Sequence, residues 1–113
     1  MDKIRALAIC IMLLFWVMPV LAKEHVVTEK GMAFSELFLK IEHDDVVKFV
    51  NKDTVNHKLV FSHHSLESIE TVLAPGESQT IVFSKPGVYD ITCNIHPNMK
   101  MTVFVPHVDV VLN

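Results

Sequence analysis

The chain has 113 residues, a length that allows one small domain. It carries 10 Lys plus Arg against 13 Asp plus Glu, a formal net charge of −3, and it has no run of basic residues. This balance excludes nucleic acid as a partner held by a basic surface, and it leaves the charge of a protein partner open.

The first residues have the layout of a secretory signal peptide. Lys3 and Arg5 form a short basic start, residues 6–21 are almost wholly apolar, and small residues precede a cleavage site after Ala22. An uncleaved membrane anchor is the alternative, but a spanning helix needs about 20 apolar residues. This apolar run is shorter and contains a proline. We therefore expect a signal peptide at 1–22, a periplasmic or otherwise exported product, and no membrane span after cleavage.

The expected mature domain, residues 23–113, has 8 Lys, no Arg and 12 Asp plus Glu, so its net charge is 8 − 12 = −4. Cys10 leaves with the signal peptide, and Cys93 is then the single cysteine. A lone thiol in an oxidising compartment is unusual, because secreted cysteines normally pair. Three explanations are open: a disulfide between two chains, an exposed reactive thiol, or a thiolate bound to a metal.

Apolar residues of the mature part recur with period two, which indicates strands. Proline followed by glycine, at 75–76 and 86–87, fits a type II turn. Several short strands joined by such turns predict an all-β fold, an antiparallel Greek-key sandwich or barrel. Residues 62–74 do not fit this pattern, and we expect a loop there that can include a short helix. The alternating runs are 37–41, 47–49, 57–61, 81–83, 89–93 and 101–105.

The alternation also predicts where two polar side chains point. His57 lies on the same strand face as Leu59 and Phe61, and Cys93 shares a face with Ile91. If these faces form the core, a buried imidazole and a buried thiol stand at the ends of two strands and can meet.

The segment from Cys93 to Met99 places a thiol, an imidazole from His96 and a thioether within one tight loop. A second imidazole, His57, comes from a distant strand. Two His, one Cys and a weak axial Met form the ligand set of a blue-copper electron-transfer site. Soft sulfur favours Cu(I), imidazole suits both oxidation states, and a rigid sandwich limits the rearrangement that accompanies electron transfer.

With this loop in place, the chain resembles the cupredoxins of the plastocyanin and amicyanin group. The resemblance extends from about residue 34 to residue 105, and the spacing of two residues on each side of His96 is that of the short amicyanin-type loop. Each piece is a weak signal, but all of them in order are a strong one. The matching segments before the loop are 45–51, 57–61, 75–78 and 86–89.

The resemblance implies a cupredoxin-like copper-binding domain with one copper per chain, cycling between Cu(I) and Cu(II) at a type 1 site. His57, Cys93 and His96 would be equatorial ligands and Met99 the axial one. His96 would lie at the surface in an apolar patch and pass the electron. We expect a monomeric carrier with transient donor and acceptor redox proteins, and not an enzyme, because protein side chains supply all four ligands.

Three other classes of protein remain as alternatives. A copper storage or delivery protein needs the same soft ligands without the rigid geometry. A reductase or oxidase fragment is disfavoured, because no His-x-His pair and no second cysteine in the loop are present. A sandwich without metal would leave Cys93 as an inert core thiol.

Three positions depart from the family pattern around the ligands. Lys58 follows the first ligand histidine where the family usually has Asn, and Asn94 follows the cysteine where Ser or Thr is usual. Met101 stands where a glycine is common, and we expect its side chain to pack in the core or beside the site. Residues around a metal's ligands tune its potential, so no redox potential carries over.

The remaining histidines have less specific surroundings. We expect His63 and His64 to lie in a solvated loop and to share no metal, and His43 and His107 to lie at the surface. Cleavage after Ala22 would give a chain that starts with Lys23, Glu24 and His25, and such a terminus can bind Cu(II) in a square plane. The alternative is a chance histidine on a frayed terminus.

Overall fold

The computed structural model describes residues 22–108 and places nine strands and no helix in them. The expected signal peptide lies outside the described residues, apart from Ala22. Among residues 22–108 there is no helix that could cross a bilayer. The strands are β1 (Glu24–Lys30), β2 (Ala33–Phe34), β3 (Phe38–Lys40), β4 (Val46–Asn51), β5 (His57–His63), β6 (Leu66–Leu73), β7 (Ser78–Val82), β8 (Gly87–Cys93) and β9 (Lys100–Val105).

The strands form two sheets, in the orders β2-β1-β4-β7 and β3-β9-β8-β5-β6. The predicted all-β sandwich is therefore confirmed. Two of the strand pairs, β1 with β4 and β3 with β9, are parallel, and the others are antiparallel. Each parallel pair joins strands distant in sequence, so the chain passes between the sheets before it returns.

The core lies between the two sheets and follows the predicted alternation. Phe49 of β4 packs edge to face against Phe34 and Phe61, with ring centroids 6.4 and 5.4 Å apart. The predicted inward positions of β5, β8 and β9 are buried, but Leu37 precedes β3 and is 80% exposed. The buried residues of these three strands are His57, Leu59, Phe61, His63, Tyr89, Ile91, Cys93, Met101, Val103 and Val105.

The expectation of a loop at 62–74 is wrong, because most of this segment forms β6. β6 pairs antiparallel with β5, with a register shift between Phe61 and His63. It is an edge strand whose side chains are mostly exposed, and only Leu73 is buried. Since neither face is fully covered, its sequence shows no apolar alternation, and pairing with β5 determines its conformation.

The two Pro-Gly pairs have different roles. Gly76 has φ 83° in a turn closed by a hydrogen bond from the Glu77 amide to the Ala74 carbonyl, 3.0 Å, as a type II turn requires. Gly87 instead begins β8 with φ 128°, and a Cβ built there would lie 2.6 Å from Nε2 of His63. Position 87 therefore needs glycine for its backbone and for the close approach of a side chain.

Candidate metal centre

Strand pairing brings the predicted first histidine to the cysteine. His57 begins β5 and Cys93 ends β8, and these two strands pair antiparallel with Leu59 opposite Cys93. The start of one strand thus lies beside the end of the other. Both side chains point into the sandwich, as predicted, with exposures of 0% for His57 and 1% for Cys93.

Three of the four predicted ligands converge on one point. The Cys93 Sγ lies 3.6 Å from Nδ1 of His57 and 3.7 Å from Nδ1 of His96. The ligand atoms of all three residues lie within 4.8 Å of one another. Nitrogen and sulfur bound to one ion at the distances usual for zinc, near tetrahedral angles, would be about 3.5–3.6 Å apart. The separations thus fit a shared metal ion.

The loop that follows Cys93 is closed by its own backbone. The Met99 amide donates to the His96 carbonyl at 2.9 Å, and the Cys93 amide donates to the Met99 carbonyl at 3.0 Å. The Asn94 amide donates to the Lys58 carbonyl at 2.8 Å, which fastens the loop to β5. Met99 is 1% exposed, so its thioether is buried at the same end of the sandwich.

The chemistry of these donors selects among metals. A buried thiol between two imidazoles combines a soft ligand with two borderline ones, a set that suits copper and not calcium or magnesium. The donor set and its spacing fit one copper ion per chain.

Asp53 holds the first histidine in place, and the sequence analysis missed this role. Its Oδ2 accepts a hydrogen bond from Nε2 of His57 at 2.7 Å. The amides of Gly31 and Met32 donate to the same carboxylate at 2.6 and 3.1 Å. Because Nε2 carries the proton, the lone pair of His57 Nδ1 faces the thiol, as metal binding requires. An Asp four residues before a predicted ligand was the only signal in the sequence.

Burial and hydrogen bonding act in opposite directions on the Asp53 carboxyl. Burial alone raises its pKa, but hydrogen bonds from His57, Met32 and Gly31, with the charge of His57, bring the pKa below its ordinary value. Asp53 is therefore an ionised acceptor at neutral pH. A carboxylate in this position makes the attached imidazole a stronger ligand.

Asn51 makes the loop before His57 rigid. Its buried amide donates to the carbonyls of Val55 and Leu73 at 2.8 and 2.9 Å. Its Oδ1 accepts from the Asp53 amide at 2.9 Å. The loop between β4 and β5 is thus bound from within, and Asp53 is oriented before any metal is present.

A second carboxyl at this end was also missed. Glu29 of β1 is fully buried, and neither of its carboxyl oxygens has a hydrogen-bond partner among the described residues. Burial raises its pKa to about 7, while the charge of His57 lowers the pKa and that of Asp53 raises it. β1 was not predicted as a strand, so its inward face carried no expectation.

The three departures from the family pattern lie around this cluster. The Lys58 ammonium forms a surface ion pair with Glu70, Nζ to Oε2 3.1 Å. Asn94 is exposed, and its backbone amide donates to the Lys58 carbonyl of β5. Met101 is 3% exposed and pairs with Ile91 in the sheet, so it packs in the core as one of the two expected placements.

The expectation that His63 lies in a solvated loop is wrong. His63 is the last residue of β5 and is 8% exposed. Its ring stacks on that of His64, with centroids 4.3 Å apart, and lies tilted against Tyr89, with centroids 4.5 Å apart. Its Nε2 donates to the Pro86 carbonyl at 3.0 Å, and its Nδ1 accepts from the Ser65 amide at 3.1 Å. Both ring nitrogens are used, so the ring cannot bind a metal in this state. His64 is exposed as expected.

His43 and His107 are exposed, as expected. His25 differs from the expected frayed terminus, because it belongs to β1 and pairs with Val47. Its Nε2 donates to Asp45 at 2.9 Å, and the Lys23 amide donates to the same carboxylate at 3.1 Å. The hydrogen bond from His25 is the main cause that lowers the pKa of Asp45. A square-planar Cu(II) site at this terminus would require the start of β1 to leave the sheet.

The second histidine of the cluster reaches the surface. His96 is partly exposed, and its neighbours Ile95 and Met32 are 52% and 51% exposed. Together with Pro97, Asn98 and Met99 they line a shallow depression of about 260 Å³. An imidazole that touches the buried thiol therefore also borders an open apolar surface.

Comparisons with known proteins agree with this architecture. Residues 6–105 match the family described as cupredoxin-like domain. Pseudoazurin from Paracoccus pantotrophus is 30% identical over 84 residues, which are 66% of this chain and 52% of that protein. The chain thus spans about half the length of this curated relative.

Two solved structures have a similar fold. The reduced Cu(I) form of an amicyanin variant superposes with a TM-score of 0.68 at 24% identity, covering 76% of this chain and 85% of that chain. The copper-containing nitrite reductase from Thermus scotoductus superposes with a TM-score of 0.71 at 28% identity, covering 84% of this chain and 25% of the enzyme.

Proposed function

Because the chain belongs to the family of cupredoxin-like domains, we propose that it carries single electrons between redox proteins outside the cytoplasm. The observation that carries the proposal is the buried thiol of Cys93 between the Nδ1 atoms of His57 and His96. Copper is the cofactor, one ion per chain, and it supplies a one-electron couple between Cu(I) and Cu(II).

His57, Cys93, His96 and Met99 would hold the copper ion, through two imidazoles, a thiolate and a thioether. The burial of His57, Cys93 and Met99 keeps water away from this end of the core. The hydrogen bond from His57 to Asp53 and the backbone bonds of the loop hold the donors before metal binds. Donors that are fixed in advance move little when the charge at the site changes, which is the property an electron carrier needs.

His96 is the exit for the electron in this proposal. Its ring contacts the buried thiol on one side and borders the surface of Ile95 and Met32 on the other. A small apolar surface suits partners that associate briefly, as weak redox encounters do. A carrier function, rather than an enzymatic one, is supported by four protein donors that leave no ligand position for a substrate.

The domain boundaries and the location belong to the same proposal. Residues 1–22 are assigned as a signal peptide and residues 23–113 as the exported, periplasmic or otherwise extracytoplasmic domain, which acts as a monomer. Cys93 is buried and free among residues 22–108, which suits an exported protein whose thiolate binds a metal and needs no disulfide partner.

The test is a visible and electron paramagnetic resonance spectrum of the purified protein loaded with Cu(II). We expect strong blue or green thiolate-to-copper absorption, and its reversible loss and return when one electron per chain is added and removed. Protein loaded with Zn(II), which has no redox chemistry, is the control and stays colourless. A colourless copper form contradicts the proposal, and release of the metal on reduction indicates a storage or delivery protein.

A further inference from the structure

Glu29 has no part in ligand binding, and yet its surroundings are unusual for a carboxyl group. It lies on the inward face of β1 with 0% exposure, and both of its carboxyl oxygens lack a hydrogen-bond partner within residues 22–108. Its strand neighbours in the register are Phe34 of β2 and Asn51 of β4. An ionised carboxylate without partners in such a place costs several kcal/mol, so the protonated form is favoured there.

Backbone hydrogen bonds place Glu29 beside the loop that holds Asp53. The Lys52 amide donates to the Glu29 carbonyl at 2.8 Å, and the amides of Gly31 and Met32, just after Glu29 in the chain, donate to the Asp53 carboxylate. Asp53 in turn accepts from His57, and the charges of both residues act on Glu29. Phe34 and Asn51, from the strands paired with β1, are uncharged. The ligand atoms of Cys93 and His96 lie within 4.8 Å of that of His57.

We propose that Glu29 takes up a proton from solvent when the copper site gains an electron and releases that proton when the electron leaves. The inference rests on the proposed electron-transfer function and extends it. One electron passes from a donor protein to Cu(II), giving Cu(I). At the same time, up to one proton passes from solvent water to the Glu29 carboxylate. Oxidation by an acceptor protein reverses both.

The sign follows from the charge at the site. Reduction removes one positive charge from the copper end, and a carboxylate is stabilised by nearby positive charge. The proton affinity of Glu29 is therefore higher in the reduced protein. Linkage is reciprocal, so deprotonation of Glu29 must favour Cu(II) by the same factor. Burial raises the pKa of Glu29 to about 7, so both forms are available at neutral pH.

The experiment is a spectroelectrochemical titration of the copper protein at pH values from about 5.5 to 8.5, a range that spans the titration of such a carboxyl group. Three proteins are compared: the unmodified chain, Glu29→Gln, and Glu24→Gln as the control. Glu24 is an exposed glutamate on the same strand. At a fixed solution potential, the Cu(I)-to-Cu(II) ratio of the unmodified chain should fall at least about fivefold over this range, the low end of usual coupling between sites. Glu24→Gln should behave likewise, and Glu29→Gln should lose most of the dependence.

The outcomes separate the inference from the function beneath it. A reversible couple with the same pH dependence in Glu29→Gln and the unmodified chain overturns the role of Glu29 alone, as does a couple that is independent of pH in the unmodified chain. Absence of a reversible couple in all three proteins overturns the proposed function and the inference together. If Glu29→Gln does not fold, the redox-difference infrared spectrum of the unmodified chain decides. This spectrum should gain a carboxylic acid band on reduction, and the band should shift in D₂O. Absence of the band overturns the inference.

Discussion

Strand β5 carries a buried histidine at each end, and the two have different surroundings. At its start, His57 gives Nε2 to Asp53 and leaves Nδ1 facing the thiol of Cys93. At its end, His63 uses Nε2 on the Pro86 carbonyl and Nδ1 on Ser65. Burial alone therefore does not make a ligand. The difference is one free ring nitrogen aimed at a soft donor.

The largest effect should come from removing that soft donor. In Cys93→Ala we expect complete loss of the thiolate-to-copper absorption, because two imidazoles without the thiolate cannot produce the band. Absorption and copper stoichiometry of the purified variant measure it, with circular dichroism as a check of the fold. Retention of the coloured site in a folded Cys93→Ala protein would place the copper elsewhere.

At the other end of β5, Gly87 is in close contact with His63. Gly87→Ala combines an unfavourable φ with a Cβ 2.6 Å from Nε2 of His63. We expect a loss of about 2–5 kcal/mol in the free energy of unfolding, from backbone strain and overpacking together. The copper spectrum should not change. Urea unfolding of the metal-free protein measures the loss.

Gly76→Ala is the matched control for this change. Gly76 also has a positive φ, but a Cβ there would meet nothing within 4 Å. Its cost should be the backbone term alone, about 1–2 kcal/mol. Equal losses in the two variants would mean that the contact with His63 contributes nothing.

Asp53→Asn tests whether the hydrogen bond that orients His57 is what makes the start of β5, and not its end, a metal-binding position. The amide cannot accept with the strength of a carboxylate from His57, Gly31 and Met32. Changing a residue that supports a metal ligand typically lowers the metal affinity by about 10–100-fold, and we expect the Cu(I) affinity to fall by a factor in this range. Competition with a Cu(I) chelator measures it. An unchanged affinity would show that the closed loop after Cys93 is sufficient.

The smallest effect concerns a third histidine, His25 at the start of β1, which is hydrogen-bonded to Asp45. The folded-state pKa of Asp45 is lowered, mainly by the hydrogen bond from His25. The stability from this shift is present above the unfolded pKa of about 3.8 and is lost as the pH falls through the folded value. Asp45→Asn should therefore be less stable to unfolding than the unmodified chain at neutral pH, and the difference in stability should shrink in acid. Urea unfolding of the metal-free proteins at about pH 6 and pH 3 measures this difference, and a constant difference would contradict it.

Alternation predicted the strands whose one face is covered by the other sheet. In β4, β5, β8 and β9 every second side chain enters the core, and most of these inward residues are apolar. β6 escaped prediction because it is an edge strand with little burial. β1 escaped because its inward face includes Glu29, an ionisable residue that breaks the apolar pattern.

The residues of the metal centre likewise divide into those that the sequence revealed and one that it did not. Cys93, His96 and Met99 are neighbours in one loop, so their spacing is visible in the sequence. His57 could be joined to them through its inward strand face. Asp53 could not be identified beforehand, because its role depends on a loop that Asn51 shapes through contacts with Val55 and Leu73. Long-range contacts of this kind leave no periodic signal.

The contact between His57 and Cys93 joins residues 36 positions apart. A metal ion held across it is a reversible cross-link between two strands. In the chain-entropy account, closing a loop of this length restricts the unfolded chain by about 4 kcal/mol. Heat resistance would then report on metal loading, and the metal-free chain would be the form that proteases cleave first.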